Sequence, residues 1–211
     1  MTELRFLKRD KVLLPIAITI AFVVWYFLFA VPGTPFWVVM SFATFILGGV
    51  SLVVYSDTLQ GSIRDWGKYI LIGLIASLVL YLIFAAGNYV IRYLPLGEHQ
   101  IESVYSTRSQ ASRTVISLLL LFPIGPGEEL FWRGWIQRSL MHKYGSLNGF
   151  LYTTLLYTLV HLPSFNLVLI TAALFAGAFW GILYWRVGHI GPGIISHAFW
   201  DVAVFTVIPF M

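Results

Sequence analysis

Long, uninterrupted apolar runs dominate this chain. The segments Val12–Val31, Phe36–Tyr55 and Tyr69–Ile91 contain no Asp, Glu, Lys or Arg. They do not alternate with a period of two, as the strands of a membrane barrel would. Each has roughly the 20 residues that a helix needs to cross a hydrocarbon core about 30 Å thick. The same pattern predicts further spans downstream. A fourth starts near Thr114, is interrupted by Pro123-Ile124-Gly125-Pro126-Gly127 and resumes as Glu128–His142. A fifth covers Leu147–Leu162, a sixth Leu167–Trp185 and a seventh Ile194–Ile208. Pro and Gly clusters at 32–35 and 188–193 read as turns.

Polar connections punctuate these runs. Ser56–Lys68 carries Asp57, Arg64, Asp65 and Lys68. The longest, Arg92–Arg113, contains Glu98-His99-Gln100-x-Glu102. That spacing invites a metal reading, but a solvated loop or short interfacial helix fits it better. The expected fold is an all-α, polytopic transmembrane helical bundle of about seven spans (six to eight). One membrane domain fills 1–211, with N-terminal spans and the polar loop at 12–112 and a core at 113–211.

Composition reinforces the bilayer as solvent. The chain is 59% hydrophobic and only 10% charged, against roughly 25% charged in soluble domains. The net charge of +4 fits orientation by cytoplasmic Lys and Arg. Lys and Arg in the tail, in Ser56–Lys68, at Arg138–Lys143 and at Arg186 fall on one side of a seven-span chain, which places the N-terminus in the cytoplasm. No basic patch interleaved with exposed aromatics suggests nucleic acid. The absence of cysteine excludes disulfides, thiolate catalysis and Cys-ligated zinc. The first apolar run is too long for a signal-peptide core and reads as a retained span.

Against this background the stretch Gly125–Trp135 holds two adjacent carboxylates and an arginine among Leu, Phe and Trp. An ionisable side chain at membrane depth costs at least about 2.5–3.5 kcal/mol on insertion scales. At 1.5 Å rise per residue, Glu128 lies about 15 Å from Arg138, and His161 about 21 Å from the start of its span. His197 lies roughly 12–16 Å from Arg186–His189, with Asp201 about 6 Å further along. Three segments thus carry Glu128, His161, His197 and Asp201 to overlapping depths. Glu129 and Arg133 are spaced i,i+4 and can pair as structural support, as can His197 and Asp201 on the last span. Glu128 then remains free to face a polar cavity. A carboxylate and a histidine converging on one water make a general base, and a second histidine can donate to a developing oxyanion. Such a set hydrolyses a peptide bond without a covalent intermediate.

At these residues the chain resembles the CPBP intramembrane proteases, also called the Abi family, which include the CAAX prenyl endopeptidases. The resemblance rests on Glu128-Glu129-Leu130-Phe131-Trp132-Arg133, on Tyr157-Thr158-Leu159-Val160-His161, and on His197-Ala198-Phe199-Trp200-Asp201. It spans roughly Gly125 to Asp201. It implies a glutamate-dependent intramembrane endopeptidase acting on a membrane-associated protein or peptide. In it Glu128 and His161 activate water, His197 and Asp201 stabilise the oxyanion, and Glu129 and Arg133 support the site. Phe131, Trp132 and Tyr157 are candidates for a substrate groove. Tyr157 replaces the Phe usual in the family, and Asp201 replaces the Asn of the prenyl endopeptidases. An ionised Asp201 would orient or charge His197 rather than donate.

No cofactor is expected. The alternative is zinc held by Glu128, His161 and His197, with Asp201 behind them. Two other functions use the same features. One is a non-catalytic immunity or assembly factor of the same fold. The other is a proton-coupled transporter, which the lack of matched broken helices in two halves disfavours. Trp180 and Trp185 read as packing and interfacial residues, and His142 and His189 as interfacial. The expected location is the bacterial inner (plasma) membrane.

Overall fold

The computed structural model describes residues 3–95 and 97–210, with the backbone alone for residues 3–9. The tail charges at Arg5, Lys8 and Arg9 therefore rest on side chains outside the described residues. The elements are all helical: α1 (Glu3–Ala30), α2 (Phe36–Val54), α3 (Ile63–Ile91) and α4 (Gly97–Tyr105) come first. A long helix α5 (Arg113–Tyr144) follows. Then come α6 (Ser146–Leu159), α7 (Leu167–Val187) and α8 (Gly191–Val202), the last continued by a π turn at Ala203–Val207.

Local chemistry sets these boundaries. Ser62 and Asp65 form a reciprocal capping box at the start of α3, which satisfies two otherwise orphaned donors. Asn166 caps α7 by accepting from the Leu169 N–H at 2.9 Å. Gly188 ends α7 at φ 71°, a left-handed conformation that glycine adopts without a Cβ penalty. Pro163 stops the helix containing Tyr157 because it has no N–H to donate.

Among the described residues, five helices are long and apolar enough to cross a membrane: Asp10–Ala30, Phe36–Val54, Ile63–Ile91, Arg113–Tyr144 and Leu167–Val187. The stretches expected as fifth and seventh spans form shorter helices. At 1.5 Å per residue α6 reaches about 21 Å, and α8 with its π turn roughly 25 Å. Both fall short of a core about 30 Å thick, so the count of about seven spans is not confirmed.

The lipid-facing and buried faces follow helical periodicity. On α1 the buried residues are Leu14, Ala17, Ala21, Trp25 and Leu28, spaced three and four apart on one stripe. The opposite faces expose large apolar side chains such as Phe42, Phe45 and Leu78, as expected where the solvent is hydrocarbon. The main core joins α1, α2 and α5, with Trp25 edge-on to Trp132 at 6.1 Å between ring centroids.

The region around Pro123 corrects the expectation of a broken helix. Helix α5 runs unbroken through it, with π-type turns at Leu120–Ile124 and Leu130–Gln137. A proline ring would clash with the carbonyl four residues earlier in a regular α-helix. Here the Gly125 N–H reaches Leu120 O, five residues back, so the ladder steps around Pro123. Glu128 and Glu129 therefore sit within a continuous helix, and the free N–H groups of a helix start do not stabilise them. The wider turns also place more residues in the same height, so the rise from Glu128 to Arg138 is less than an ideal helix gives. The glycines serve close approach rather than flexibility. A Cβ on Gly127 would strike the Thr44 carbonyl of α2, and one on Gly125 would lie 2.9 Å from Ala198 Cα of α8. Small residues at such crossings let helix backbones meet in a membrane.

The stretch Arg92–Arg113 forms α4 and a short 3-10 turn at Ser106–Gln110. It ties several helix ends together. Trp37 Nε1 donates to Thr107 O at 2.8 Å, and Tyr105 Oη donates to Val204 O at 3.0 Å. Asn166 Nδ2 donates to Gln100 O at 2.8 Å.

Candidate active site

Helix α5 supplies Glu128, Glu129 and Arg133. All three are buried, Glu129 and Arg133 with 0% exposure. Arg133 Nη1 donates to Glu129 Oε1 at 2.7 Å. Its other amino group, Nη2, donates to Gly177 O of α7 at 3.0 Å. The guanidinium also lies over the Tyr157 ring at 4.8 Å and the Trp180 ring at 5.5 Å. The arginine is thus held by one carboxylate, one carbonyl and two aromatic faces.

Glu129 has a second partner that spacing did not reveal. His197 Nδ1 lies 2.9 Å from the same Glu129 Oε1. A carboxylate facing a ring nitrogen at this distance accepts, so Nδ1 carries the proton. On the other side of the ring, His197 Nε2 faces Asp201 Oδ2 at 3.5 Å. Glu129 therefore orients His197 as well as pairing with Arg133. Gly193, one turn before His197, makes this approach possible. A Cβ there would come within 2.7 Å of Glu129 Oε2.

His161 follows the end of α6, and that ending shapes it. Its backbone N–H turns to Thr158 O at 3.1 Å, three residues back. The Tyr157 carbonyl, which a continuing helix would have paired with that N–H, is left to the side chain. His161 Nδ1 lies 2.7 Å from Tyr157 O. A carbonyl only accepts, so Nδ1 is protonated and Nε2 is the ring's free acceptor in the neutral form. Phe29 of α1 and Tyr157 flank the imidazole at 5.3 and 5.0 Å between centroids.

Tyr157 links the two histidine sites. Its hydroxyl faces the Glu128 carboxyl group, and its ring lies beside His161 and beneath Arg133. Glu128 Oε2 is buried and makes no hydrogen bond to protein. Such an acceptor is costly to leave unpaired in a low-dielectric interior.

These groups all fall within one sequence segment. Residues 110–203 match the family model described as type II CAAX prenyl endopeptidase, Rce1-like. The matched segment contains all three motifs on which the CPBP resemblance rests. It supports an intramembrane protease of the CAAX type in general, set among apolar helices that suit a lipid bilayer and a membrane-associated substrate. No curated protein and no solved structure matches the chain.

Several expectations change in this light. Phe131 and Trp132 are 1% and 0% exposed. They pack on each other at 4.9 Å between centroids, and so do not line an open groove. Trp180 is buried at 1% exposure, as a packing residue would be. It stacks on His197 with ring centroids 3.7 Å apart and planes 14° from parallel. Nothing local in the apolar sequence of α7 distinguishes it from an ordinary packing tryptophan. His189 is fixed rather than loosely interfacial: its Nδ1 accepts from the Gly191 N–H at 2.9 Å, and Nε2 donates to Gln60 O at 3.0 Å.

The zinc alternative can be tested against the donors themselves. Among the described residues, no three His, Asp or Glu side chains are grouped so as to hold a metal ion. His197 directs one ring nitrogen to Glu129 and the other towards Asp201.

Proposed function

We propose that this chain is an intramembrane endopeptidase that hydrolyses a peptide bond of a membrane-associated protein or peptide, using water and no metal. The observation that carries the reading is Glu128 Oε2, a buried carboxylate oxygen with no hydrogen-bond partner in the protein. Glu128 lies within electrostatic reach of His197 and against the Tyr157 hydroxyl, and the Tyr157 ring adjoins His161 with its acceptor nitrogen, all within the Rce1-like segment. In the proposed reaction Glu128, assisted by His161 Nε2, removes a proton from water as it attacks the carbonyl carbon. The tetrahedral oxyanion accepts a hydrogen bond from a protonated His197 Nε2, because Nδ1 already donates to Glu129 and Nε2, 3.5 Å from Asp201, is not hydrogen-bonded to it. Collapse of the intermediate breaks the C–N bond, and the proton held by Glu128 passes to the leaving amine. Arg133 holds the Glu129 carboxylate in place through their 2.7 Å hydrogen bond.

The Lys and Arg distribution further supports a cytoplasmic N-terminus, and we assign the chain to a plasma membrane of bacterial type. The test uses purified protein in liposomes with quenched-fluorescent reporter peptides, one ending in a prenylated cysteine motif and one bearing a C-terminal membrane anchor. Glu128→Gln, His161→Ala and His197→Ala should each abolish cleavage while the proteins insert and fold. Cleavage at the parental rate by Glu128→Gln would refute the mechanism and favour a non-catalytic immunity or assembly role. Metal analysis of the active preparation should find no stoichiometric zinc.

A further inference from the structure

The sequence motifs place His197, Glu129 and Asp201 in one site, where Glu129 and Asp201 lie at the two nitrogens of the His197 ring rather than on its faces. The ring is held at Nδ1 by the Glu129 carboxylate at 2.9 Å, whereas Nε2 stands 3.5 Å from Asp201 Oδ2 without a hydrogen bond, so rotation about Cβ–Cγ is braced on one side. A further constraint comes from α7. The Trp180 indole covers one face of the imidazole at 3.7 Å, nearly parallel to it. The indole is itself anchored: its Nε1–H donates to Ser196 Oγ at 3.1 Å. Ser196 is fully buried and directly precedes His197. The anchor and the ring it covers therefore sit on adjacent residues of α8, and the indole cannot slide along the imidazole without breaking its own hydrogen bond.

A second contact ties this indole to the rest of the site. The Arg133 guanidinium lies over the Trp180 ring at 5.5 Å, and Arg133 also holds Gly177 O, one turn before Trp180 on the same helix. Helix α7 is thus locked to α5 by one arginine and to α8 by one tryptophan. A parallel indole face 3.7 Å from an imidazole also offers its negative quadrupole to any positive charge that develops there.

We infer that Trp180 is a positioning residue of the hydrolytic site: anchored by Ser196, it sets the plane of the His197 ring and so aims its donor at the oxyanion. This rests on the reading of the chain as a protease, but its first test does not need activity. The full chain is labelled with ¹⁵N-histidine and reconstituted in nanodiscs. The five histidines give ring signals, and the His197 signals are those missing from His197→Gln. The parental protein should show an Nδ1 proton far downfield, from the bond to Glu129, and carbon-bound ring protons shifted upfield by the stacked indole. Trp180→Phe keeps an aromatic face but loses the bond to Ser196, so its Nδ1 proton should be intermediate between those of the parent and Trp180→Leu. Trp180→Leu and Ser196→Ala should broaden or lose the Nδ1 proton, in protein whose thermal midpoint stays within a few degrees. Retention of a sharp, unshifted Nδ1 proton in Trp180→Leu overturns the inference. If Trp180→Leu does not fold, Ser196→Ala decides on the same signal.

Kinetics on the quenched reporters then separate positioning from simple support. Trp180→Leu should lower kcat about tenfold or more with KM within about twofold, and Trp180→Phe, which keeps the face but not the anchor, should recover part of the loss. A rise in KM with kcat unchanged would also overturn the inference. If the parental protein cleaves no reporter while the spectra behave as described, the protease reading fails and the Trp180–His197 coupling stands.

Discussion

Arg133→Met is the substitution whose energetic consequence the structure specifies best. Arg133 and Glu129 are both 0% exposed, so neither solvent nor salt screens their pair. Removing the cation leaves a buried carboxylate without its main partner, which costs about 3–5 kcal/mol. Glu129 keeps His197 Nδ1 at 2.9 Å, which favours the lower part of that range. Arg133→Met also gives up the bond to Gly177 O and the contacts with two rings, while its own length refills much of the volume. The expected destabilisation is therefore about 3–4 kcal/mol. If the cost comes from the stranded charge, adding Glu129→Gln should relieve it by at least about 1 kcal/mol. Arg133→Lys, with a point charge in place of a planar fork, should fall between the parent and Arg133→Met. The assay is reversible unfolding in mixed micelles, followed by the fluorescence of the eight tryptophans. A loss below about 1 kcal/mol for Arg133→Met, or a double variant less stable than the single one, would refute the reasoning.

Three further outcomes follow from the same coordinates. Gly127→Ala should destabilise by about 1–3 kcal/mol through overpacking, because its Cβ would meet the Thr44 carbonyl. Gly49→Ala, with nothing within 4 Å of the added Cβ, should be neutral or slightly stabilising in the same unfolding assay. At the surface, Arg138 donates to both oxygens of Asp57 at 2.9 and 2.7 Å and holds the Asp57 carboxyl below the usual range. A lowered folded-state value means stability present above the unfolded pKa and lost as pH falls through the folded one. Asp57 is half-exposed, so Asp57→Asn should cost less than about 1 kcal/mol at pH 7, and the thermal-midpoint difference should vanish in strong acid. The chain has no cysteine of its own, so single probes at Gln60→Cys and Ser164→Cys should react with an impermeant maleimide from opposite sides of the membrane. Labelling of both from one side would contradict the proposed orientation.

The long apolar runs made the helices readable, because a membrane span writes its length directly into composition. The α1 stripe at Leu14, Ala17, Ala21, Trp25 and Leu28 is visible in the same way. The path of α5 around Pro123 was not readable. Proline and glycine signal a break in water, but buried packing can keep the helix whole by shifting its ladder to an i→i+5 bond. Gly125 and Gly127 likewise look like loop residues until the helices that cross them are known. Within the site, the i,i+4 spacings of Glu129 with Arg133 and of His197 with Asp201 were legible, since each lies on one helix. The bond from His197 to Glu129 was not, because it joins residues 68 positions apart. The stacking of Trp180 on His197 is hidden for the same reason. The burial of Phe131 and Trp132 depends on α1, which local sequence cannot bring into view.

The most direct measurement compares the protein termini in membranes of cells carrying the parental chain with those in cells carrying Glu128→Gln at equal abundance. The account predicts at least one new terminus, produced only by the parental chain and reproduced by the purified protein on the matching peptide. Identical termini in the two membranes, or the same cleavage by Glu128→Gln, would contradict it.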